Sequence, residues 1–169
     1  YVYGESWGQT VTDSWRGNAA MWDQMLTEQG YIIASIDNRG TRTPKGREWR
    51  KSIYGAVGVL SSRDQSDALK AMSKRWDYID SDKVAIWGHS GGGSMTLNML
   101  FRYPEQYHVG ISLAPVPDQR LYDSIYQERY SGLLEDFAEG YKQGSPITHA
   151  KNLQGKLLLV HGTGDDNVH

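Results

Sequence analysis

The sequence predicts an α/β fold: a mostly parallel, doubly wound sheet with helices on both faces. Short apolar runs typical of strands alternate along the chain with longer segments of helical apolar spacing. Such alternation favours parallel strands joined by helices that cover both faces of the sheet. Because the pattern begins and ends abruptly, we expect residues 1–169 to form one partial domain, truncated at both ends of the sequence.

Five short runs are predicted to be strands. They cover residues 1–3, 31–36, 84–87, 109–113 and 157–160. The last four of these runs are mostly apolar over their whole length. This composition is typical of parallel strands that are buried on both faces.

The segments between the strands have the apolar spacing of helices. We predict helices over residues 19–29, 63–76 and 91–103, and a tyrosine-rich pair of helices within residues 122–142. Gly30 and Pro104 end two of these helices, because glycine is common just after a helix and proline cannot continue one. The segment 37–58, which is rich in arginine and glycine, is predicted to be a long loop.

Composition excludes several classes of function. The chain carries 18 Lys and Arg against 20 Asp and Glu, so its net charge of −2 gives no electrostatic case for a nucleic-acid partner or an anionic membrane. It has no cysteine, which excludes disulfides, cysteine-bound zinc and a cysteine nucleophile. Its aliphatic runs are too short to cross a membrane. The histidines and carboxylates show no metal-ligand spacing, so we expect neither a metal nor an organic cofactor.

One motif indicates chemistry. Residues 88–92 read G-x-S-x-G, with an apolar strand leading into the motif and an apolar helix leading out of it. This is the setting of a nucleophile elbow, in which Ser90 lies on a tight turn between Gly88 and Gly92. The N–H of Gly91, at the start of the helix, is a candidate donor to an oxyanion. The alternatives are a glycine-rich phosphate-binding turn and a purely structural turn.

A serine nucleophile needs a base, and the base needs an orienting carboxylate. In this architecture the chain order is Ser, then Asp or Glu, then His. Asp165 follows the strand at 157–160 and a glycine-rich turn, so it is the candidate acid, with Asp166 as its competitor. The alternative is that both carboxylates only cap or solvate the loop.

The five histidines are poor candidates for the base. His89 adjoins Ser90 on the wrong side of the turn, and two more, His108 and His149, precede the acid. His161 is expected to be buried at the end of a strand. His169 follows the acid too closely to reach Ser90 through a separate loop. We therefore expect the base to lie beyond residue 169.

Several segments resemble one known family. They are I-W-G-H-S-G-G at 86–92, A-P-V at 114–116, Y-D-S-I-Y-Q-E-R-Y at 122–130, H-G-T-G-D-D-N-V-H at 161–169 and D-N-R-G at 37–40. Together they resemble the catalytic domain of the dipeptidyl peptidase IV-like serine peptidases, which belong to the prolyl oligopeptidase family. The resemblance extends over essentially the whole chain, and the strings at 122–130 and 161–169 are far more specific than a general hydrolase motif.

The resemblance implies an α/β-hydrolase domain that lies beneath an N-terminal β-propeller of the same polypeptide. It implies a serine exopeptidase that acts on peptides through an acyl-enzyme and releases dipeptides or longer units from the N-terminus, often after proline. It also implies a homodimer of the full-length form and a periplasmic, secreted or cell-surface location. The alternatives are an esterase or acylaminoacyl hydrolase of the same fold, and a binding module without catalysis.

The same resemblance assigns roles residue by residue. Ser90 is the nucleophile, Asp165 is the triad acid, and the Tyr3 hydroxyl completes the oxyanion hole with the Gly91 N–H. Asn167 holds a substrate carbonyl. The walls of the pocket for the substrate residue before the scissile bond are Val116, Tyr122, Tyr126 and Val168.

The chain also departs from the family pattern. At the elbow, His89 and Gly91 replace the usual tryptophan and tyrosine, and Gln119 lies where an aromatic residue is common. After Tyr3 the chain reads Gly-Glu-Ser in place of a Gly-Gly-Pro type of turn. The hydrolytic residues are intact, but the pocket loses an aromatic wall, so strict selectivity for proline is not expected.

Overall fold

A computed structural model describes all residues 1–169. Its sheet has three parallel strands: β1 (Ala85–His89), β2 (Val109–Leu113) and β3 (Lys156–Val160). The strands are adjacent in the order β1-β2-β3. Their last residues are in register, with His89 paired to Leu113 and Leu113 to Val160. The loops that follow β1 and β3 therefore leave the same edge of the sheet.

The chain also forms six helices. They are α1 (Asn18–Glu28), α2 (Gly46–Lys51), α3 (Val59–Arg75), α4 (Gly91–Arg102), α5 (Ser124–Ser131) and α6 (Leu134–Gly144), with 3₁₀ turns at Gln119–Leu121 and Pro146–Asn152. The predicted helices are confirmed, including the division of 122–142, where Gly132 has a φ of 76° between α5 and α6. Short helix α2 lies inside the predicted loop at 37–58. None of the six helices is both long enough and apolar enough to cross a membrane.

Helix α4 forms the core with one face of the sheet. Its side chains Met95, Met99 and Leu100 are at most 1% exposed. Gly110 of β2 lets the helix approach, because a Cβ there would lie 2.3 Å from Cδ1 of Leu100. Burying each large apolar side chain contributes roughly 1.5–3 kcal/mol. This packing fixes the position of the N-terminus of α4 relative to the strand ends.

The opposite face of the sheet is covered over β1 only. Trp87 contacts Tyr1, with ring centroids 4.6 Å apart, and Trp22 of α1, at 6.4 Å. Beside Trp87 in register, Ile111 and Leu158 are 37% and 55% exposed. Helices thus lie on both sides of the sheet. The prediction that the strands are buried on both faces is wrong for β2 and β3, because α1 does not extend over them.

Two predicted strands, residues 1–3 and 31–36, are not strands of the sheet. The Val2 N–H donates to the Trp87 carbonyl at 3.0 Å, and the backbone nitrogen of Tyr1 donates to the Ala34 carbonyl at 3.2 Å. A strand requires a repeating ladder of backbone hydrogen bonds. These segments make only isolated contacts beside β1.

Candidate active site

Ser90 occupies a sharp turn between β1 and α4. Its φ of 57° and ψ of −119° are rarely adopted by any residue other than glycine, and such strain costs about 1–3 kcal/mol. The Ser90 N–H donates to the Leu113 carbonyl at 2.8 Å, and the Ser90 carbonyl accepts from the Ser94 N–H at 3.0 Å. These bonds hold the serine at the carboxyl edge of the sheet. The predicted strand-turn-helix setting of the elbow is therefore present.

Glycines allow another segment to cross this turn. A Cβ on Gly92 would lie 2.2 Å from the carbonyl oxygen of Val2, and a Cβ on Gly88 would lie 2.4 Å from the same atom. Both distances are shorter than any tolerated contact with backbone. The absence of side chains at these two positions brings the residues after Val2 next to Ser90.

Tyr3 reaches the serine from this crossing segment. Its phenol lies beside the side chain of Ser90, close enough to influence the environment of the Tyr3 hydroxyl. Burial, followed by the charge of Glu5, raises the pKa of Tyr3 to about 12. A phenol with this pKa stays protonated at neutral pH and can donate a hydrogen bond. The ring packs on Gly8, where a Cβ would lie 2.1 Å from Cδ1 of Tyr3.

Asn38 holds the segment that carries Tyr3. This side chain is 2% exposed, and its amide nitrogen donates to the Gly4 carbonyl at 2.9 Å. The amide of Gln65 on α3 donates to Oδ1 of Asn38 at 2.9 Å and to the Ile36 carbonyl at 2.7 Å. The sequence analysis missed this positioning role. The resemblance of residues 37–40 pointed to the loop but not to the segment that Asn38 binds.

The helix N-terminus and Tyr3 offer two donors beside Ser90. Gly91 is the first residue of α4, where backbone N–H groups have no partner within the helix and the helix dipole is positive. The Tyr3 hydroxyl approaches the same serine. Two donors placed where negative charge develops on a carbonyl oxygen form an oxyanion hole.

Asp165 lies on the loop that follows β3. Its Oδ1 accepts from the N–H groups of Asn167 at 3.0 Å and Val168 at 2.9 Å. These two hydrogen bonds hold the pKa of Asp165 below its usual value, so the carboxyl is ionised at neutral pH. The neighbouring Asp166 is exposed and accepts no such bonds. Of these two carboxylates, only Asp165 is held by backbone N–H groups of the loop.

The separation of the two loops is suited to a third group. β2 lies between β1 and β3, and neighbouring strands are about 4.8 Å apart. The chain therefore leaves the sheet after His89 and after Val160 at points separated by about 10 Å. A spacing of this size between the two loops is compatible with a third group between Ser90 and Asp165.

None of the five histidines is hydrogen-bonded to Ser90 in the structure. His108 lies at the other end of β2, where its Nδ1 is 3.5 Å from the Val84 nitrogen. His161 was expected to be buried, but within residues 1–169 it is exposed, because none of these residues pairs with the outer side of β3. Its Nδ1 lies 3.1 Å from the Gly162 carbonyl oxygen and 4.0 Å from Oδ2 of Asp165.

Three tyrosines of α5 and its N-terminal flank line one side of the site. Asp123 caps the helix by accepting from the Tyr126 N–H at 2.8 Å. The ring centroids of Tyr122 and Tyr126 are 5.6 Å apart, and those of Tyr126 and Tyr130 are 4.8 Å apart. The Tyr122 hydroxyl donates to Oδ1 of Asn167 at 3.2 Å. This bond joins the tyrosine wall to the loop of the candidate acid.

The two candidate pocket valines, Val116 and Val168, are each held by a hydrogen bond from their backbone N–H to a side chain of the site. Val116 is 7% exposed, and its N–H donates to the Ser94 hydroxyl on α4 at 2.9 Å. Val168 is 6% exposed and is fixed by its N–H bond to Asp165. Each predicted site residue thus belongs to the elbow, to the crossing segment, to the tyrosine wall or to the acid loop.

Glu5 is a site residue whose contacts the sequence analysis did not foresee. It is 6% exposed, and its Oε2 accepts from the Tyr126 hydroxyl at 2.8 Å. Burial raises the pKa of this carboxyl. The same carboxyl packs against Gly91, where a Cβ would lie 2.6 Å from Oε2. A glutamate directly after the Tyr3–Gly4 pair, combined with glycine at 91, was the available signal.

Comparison with known proteins gives a consistent result. The model of the prolyl oligopeptidase family matches residues 18–169. Dipeptidyl peptidase 4 of Trichophyton equinum is 41% identical over 173 residues, which cover 99% of this chain and 22% of that protein. The chain therefore spans about a fifth of the length of the curated relatives it matches.

Solved structures agree with this comparison. Dipeptidyl peptidase 4 of Porphyromonas gingivalis superimposes with a TM-score of 0.83 at 44% identity, over 88% of this chain and 21% of that one. A Bacteroides ovatus protein, described provisionally as a dipeptidyl aminopeptidase IV, gives a TM-score of 0.92 at 36% identity. That match covers 99% of this chain and 24% of the other.

Proposed function

The chain belongs to the prolyl oligopeptidase family, and from this premise we propose that it is the hydrolase part of a dipeptidyl peptidase-type serine exopeptidase. The observation that carries the proposal is the strained turn at Ser90, with the Tyr3 phenol beside that serine. A purely structural turn requires neither a positive φ at a serine nor a donor beside its hydroxyl. Relatives named as dipeptidyl peptidases support the choice of peptide substrates.

The proposed reaction begins with attack by Oγ of Ser90 on the carbonyl carbon of the scissile peptide bond. A base removes the hydroxyl proton as the Oγ–C bond forms, and the carbonyl electrons move onto oxygen. The Gly91 N–H and the Tyr3 hydroxyl donate to that oxyanion. The base then returns the proton to the departing amine. Water then attacks the carbonyl carbon of the acyl-enzyme, the same base removes its proton, and the bond to Oγ of Ser90 breaks. This step releases the peptide product as a carboxylic acid and returns the proton to Ser90.

Asp165 would orient the base and stabilise its charged form. The two backbone N–H bonds keep this carboxylate ionised and restrict its position. We propose that the base is a histidine in the part of the full-length protein that follows residue 169. No histidine of this chain is bonded to Ser90, and the relatives are several times longer than the matched segment.

The substrate would be the N-terminal part of a peptide whose residue before the scissile bond lies against Val116, Tyr122, Tyr126 and Val168. Asn167 would hold a substrate carbonyl. We also propose that the full-length protein carries an N-terminal β-propeller, in agreement with the small share of each relative that this chain covers. A homodimer of the full-length form is proposed from the family resemblance alone.

The experiment that tests the proposal treats the purified full-length protein with a fluorophosphonate probe. We expect labelling of Ser90, loss of labelling in Ser90→Ala, and faster turnover of dipeptide amides than of simple esters or N-acylated amino acid amides. Labelling with activity on esters or acylated substrates alone would favour an esterase or acylaminoacyl hydrolase. Absence of labelling in a folded protein would favour a binding module.

A further inference from the structure

A buried carboxyl group lies between the nucleophile turn and the tyrosine wall. Glu5 is 6% exposed and stands two residues after Tyr3, the phenol beside Ser90. Its Oε2 accepts from the Tyr126 hydroxyl at 2.8 Å. Tyr126 is one of the residues proposed to enclose the side chain of the substrate residue before the scissile bond. The mechanism proposed above gives Glu5 no role.

The carboxyl occupies the space that a side chain at position 91 would fill. A Cβ on Gly91 would lie 2.6 Å from Oε2 of Glu5, 2.8 Å from its Cδ and 3.2 Å from its Cγ. Glycine at 91 and glutamate at 5 therefore depend on each other sterically. Because residue 91 directly follows the nucleophile, the group that fills this space borders the position of the bound substrate.

The carboxyl is incompletely partnered. It forms no ion pair, and the Tyr126 hydroxyl is its one hydrogen-bond donor. The neighbouring groups that influence its environment are the hydroxyls of Tyr3 and Tyr126, with no cation among them. A carboxyl group can form several hydrogen bonds, so capacity remains for a donor from outside the protein.

We propose that Glu5 is a specificity-determining residue, which favours substrates whose residue before the scissile bond carries a hydroxyl group over substrates with alanine or proline there. This inference rests on the proposed peptidase function. The hydroxyl of a substrate serine donates a hydrogen bond to the Glu5 carboxyl. An alanine methyl or a proline ring cannot, so the hydrogen-bonding capacity of this buried carboxyl stays unused. Sites built to bind a substrate hydroxyl reject analogues that lack it for this reason.

The test compares three chromogenic dipeptide amides, Gly-Ser, Gly-Ala and Gly-Pro, on the full-length protein. For the wild type we expect kcat/KM for Gly-Ser to exceed that for Gly-Ala by about tenfold. In Glu5→Leu we expect this ratio to fall to about one and the ratio of Gly-Pro to Gly-Ala to rise. Glu5→Gln, which keeps an acceptor for Tyr126 and a polar group toward the substrate, retains a preference for serine.

Two controls separate the possible failures. Glu135→Leu removes an exposed glutamate at the start of α6 and should leave all three rates unchanged. The rate of fluorophosphonate labelling reports the nucleophile independently of the dipeptide.

Normal labelling with no preference for Gly-Ser over Gly-Ala in the wild type overturns the inference, even if Glu5→Leu fails to fold. A ratio unchanged in folded Glu5→Leu also overturns it, and both results leave the proposed function intact. Absence of labelling in the wild type overturns the proposed function itself.

Discussion

The carbonyl oxygen of Val2 lies so close to Gly92 that a Cβ there would be 2.2 Å away. This close contact joins two residues that are 90 positions apart in the sequence. It fixes the approach of the chain that carries Tyr3 to the helix that begins after Ser90. The oxyanion hole proposed here is thus assembled by a backbone contact that only glycine permits.

We expect Gly92→Ala to damage the site more than the added methyl group alone would suggest. The Val2 carbonyl must move, and Tyr3 moves with it. Overpacking of this kind costs about 1–3 kcal/mol of stability, and the displaced donor lowers kcat further. Thermal unfolding and steady-state kinetics on the full-length protein measure the two effects.

Gly164→Ala is the matched control, because nothing lies within 4 Å of a Cβ at that position. We expect it to change the midpoint of thermal unfolding little. If the two alanine variants were equally stable and equally active, the contact between Val2 and Gly92 would not govern the site.

Tyr3→Phe removes one proposed oxyanion donor and leaves the ring that packs on Gly8. The donor acts on charge that appears only in the transition state, so we expect kcat to fall by about 10²–10³ with little change in KM. An effect confined to KM would instead assign Tyr3 to substrate binding.

The pKa of Tyr3 gives this role a pH dependence with a defined sign. Burial raises the pKa to about 12, above the ordinary tyrosine value of about 10. The neutral donor form therefore persists in the folded protein as pH rises through the range in which exposed tyrosines ionise. We expect no loss of kcat from Tyr3 ionisation below about pH 10. If kcat of the wild type fell as pH rose toward about 10, and kcat of Tyr3→Phe did not, this expectation would be contradicted.

Asp165 and Asp166 form a second matched pair. Asp165→Asn keeps an acceptor for the N–H groups of Asn167 and Val168 but removes the charge that stabilises the protonated base. We expect a drop in kcat of about 10⁴, while Asp166→Asn remains within a few-fold of the wild type. Equal losses in the two variants would show that the loop carries no specific triad acid.

The depressed pKa of Asp165 means that protonation of this carboxylate does not set the acidic side of the pH profile. A carboxyl whose pKa is lowered on folding stays ionised as pH falls to its ordinary value near 4. As pH is lowered, we therefore expect kcat/KM to decline already at about pH 6–7, where a histidine base becomes protonated, and not only near pH 4. A profile that stays flat down to about pH 4 would show that no such base operates.

Much of the site was predictable because its determinants are local in sequence. Ser90 was identified from an adjoining strand, small neighbours and an adjoining helix, all within about twenty residues, and the structure has each of them. Asp165 was placed by the strand before it. The residues alone left Asp166 as a competitor, and the resemblance assigned the role to Asp165. The two backbone bonds that hold Asp165 are visible only in the folded loop.

Other features depend on contacts between distant residues. The runs at 1–3 and 31–36 have the composition of strands, but pairing depends on neighbours that composition does not specify. His161 was expected to be buried because it follows an apolar strand, and within residues 1–169 it is exposed because none of these residues pairs with the outer side of that strand. The hydrogen bond between Glu5 and Tyr126 joins positions 121 residues apart, and the only signal for it, glutamate at 5 with glycine at 91, is itself spread over distant positions.

The central claim, that Ser90 is a catalytic nucleophile, is tested most directly by kcat/KM of full-length Ser90→Ala on a dipeptide amide. Ser81→Ala, which alters an exposed serine before β1, is the control and should match the wild type. The account predicts a loss of about 10⁶ in turnover for Ser90→Ala, comparable to removal of the nucleophile in a serine protease. Near-normal turnover by the folded, purified Ser90→Ala protein would contradict it.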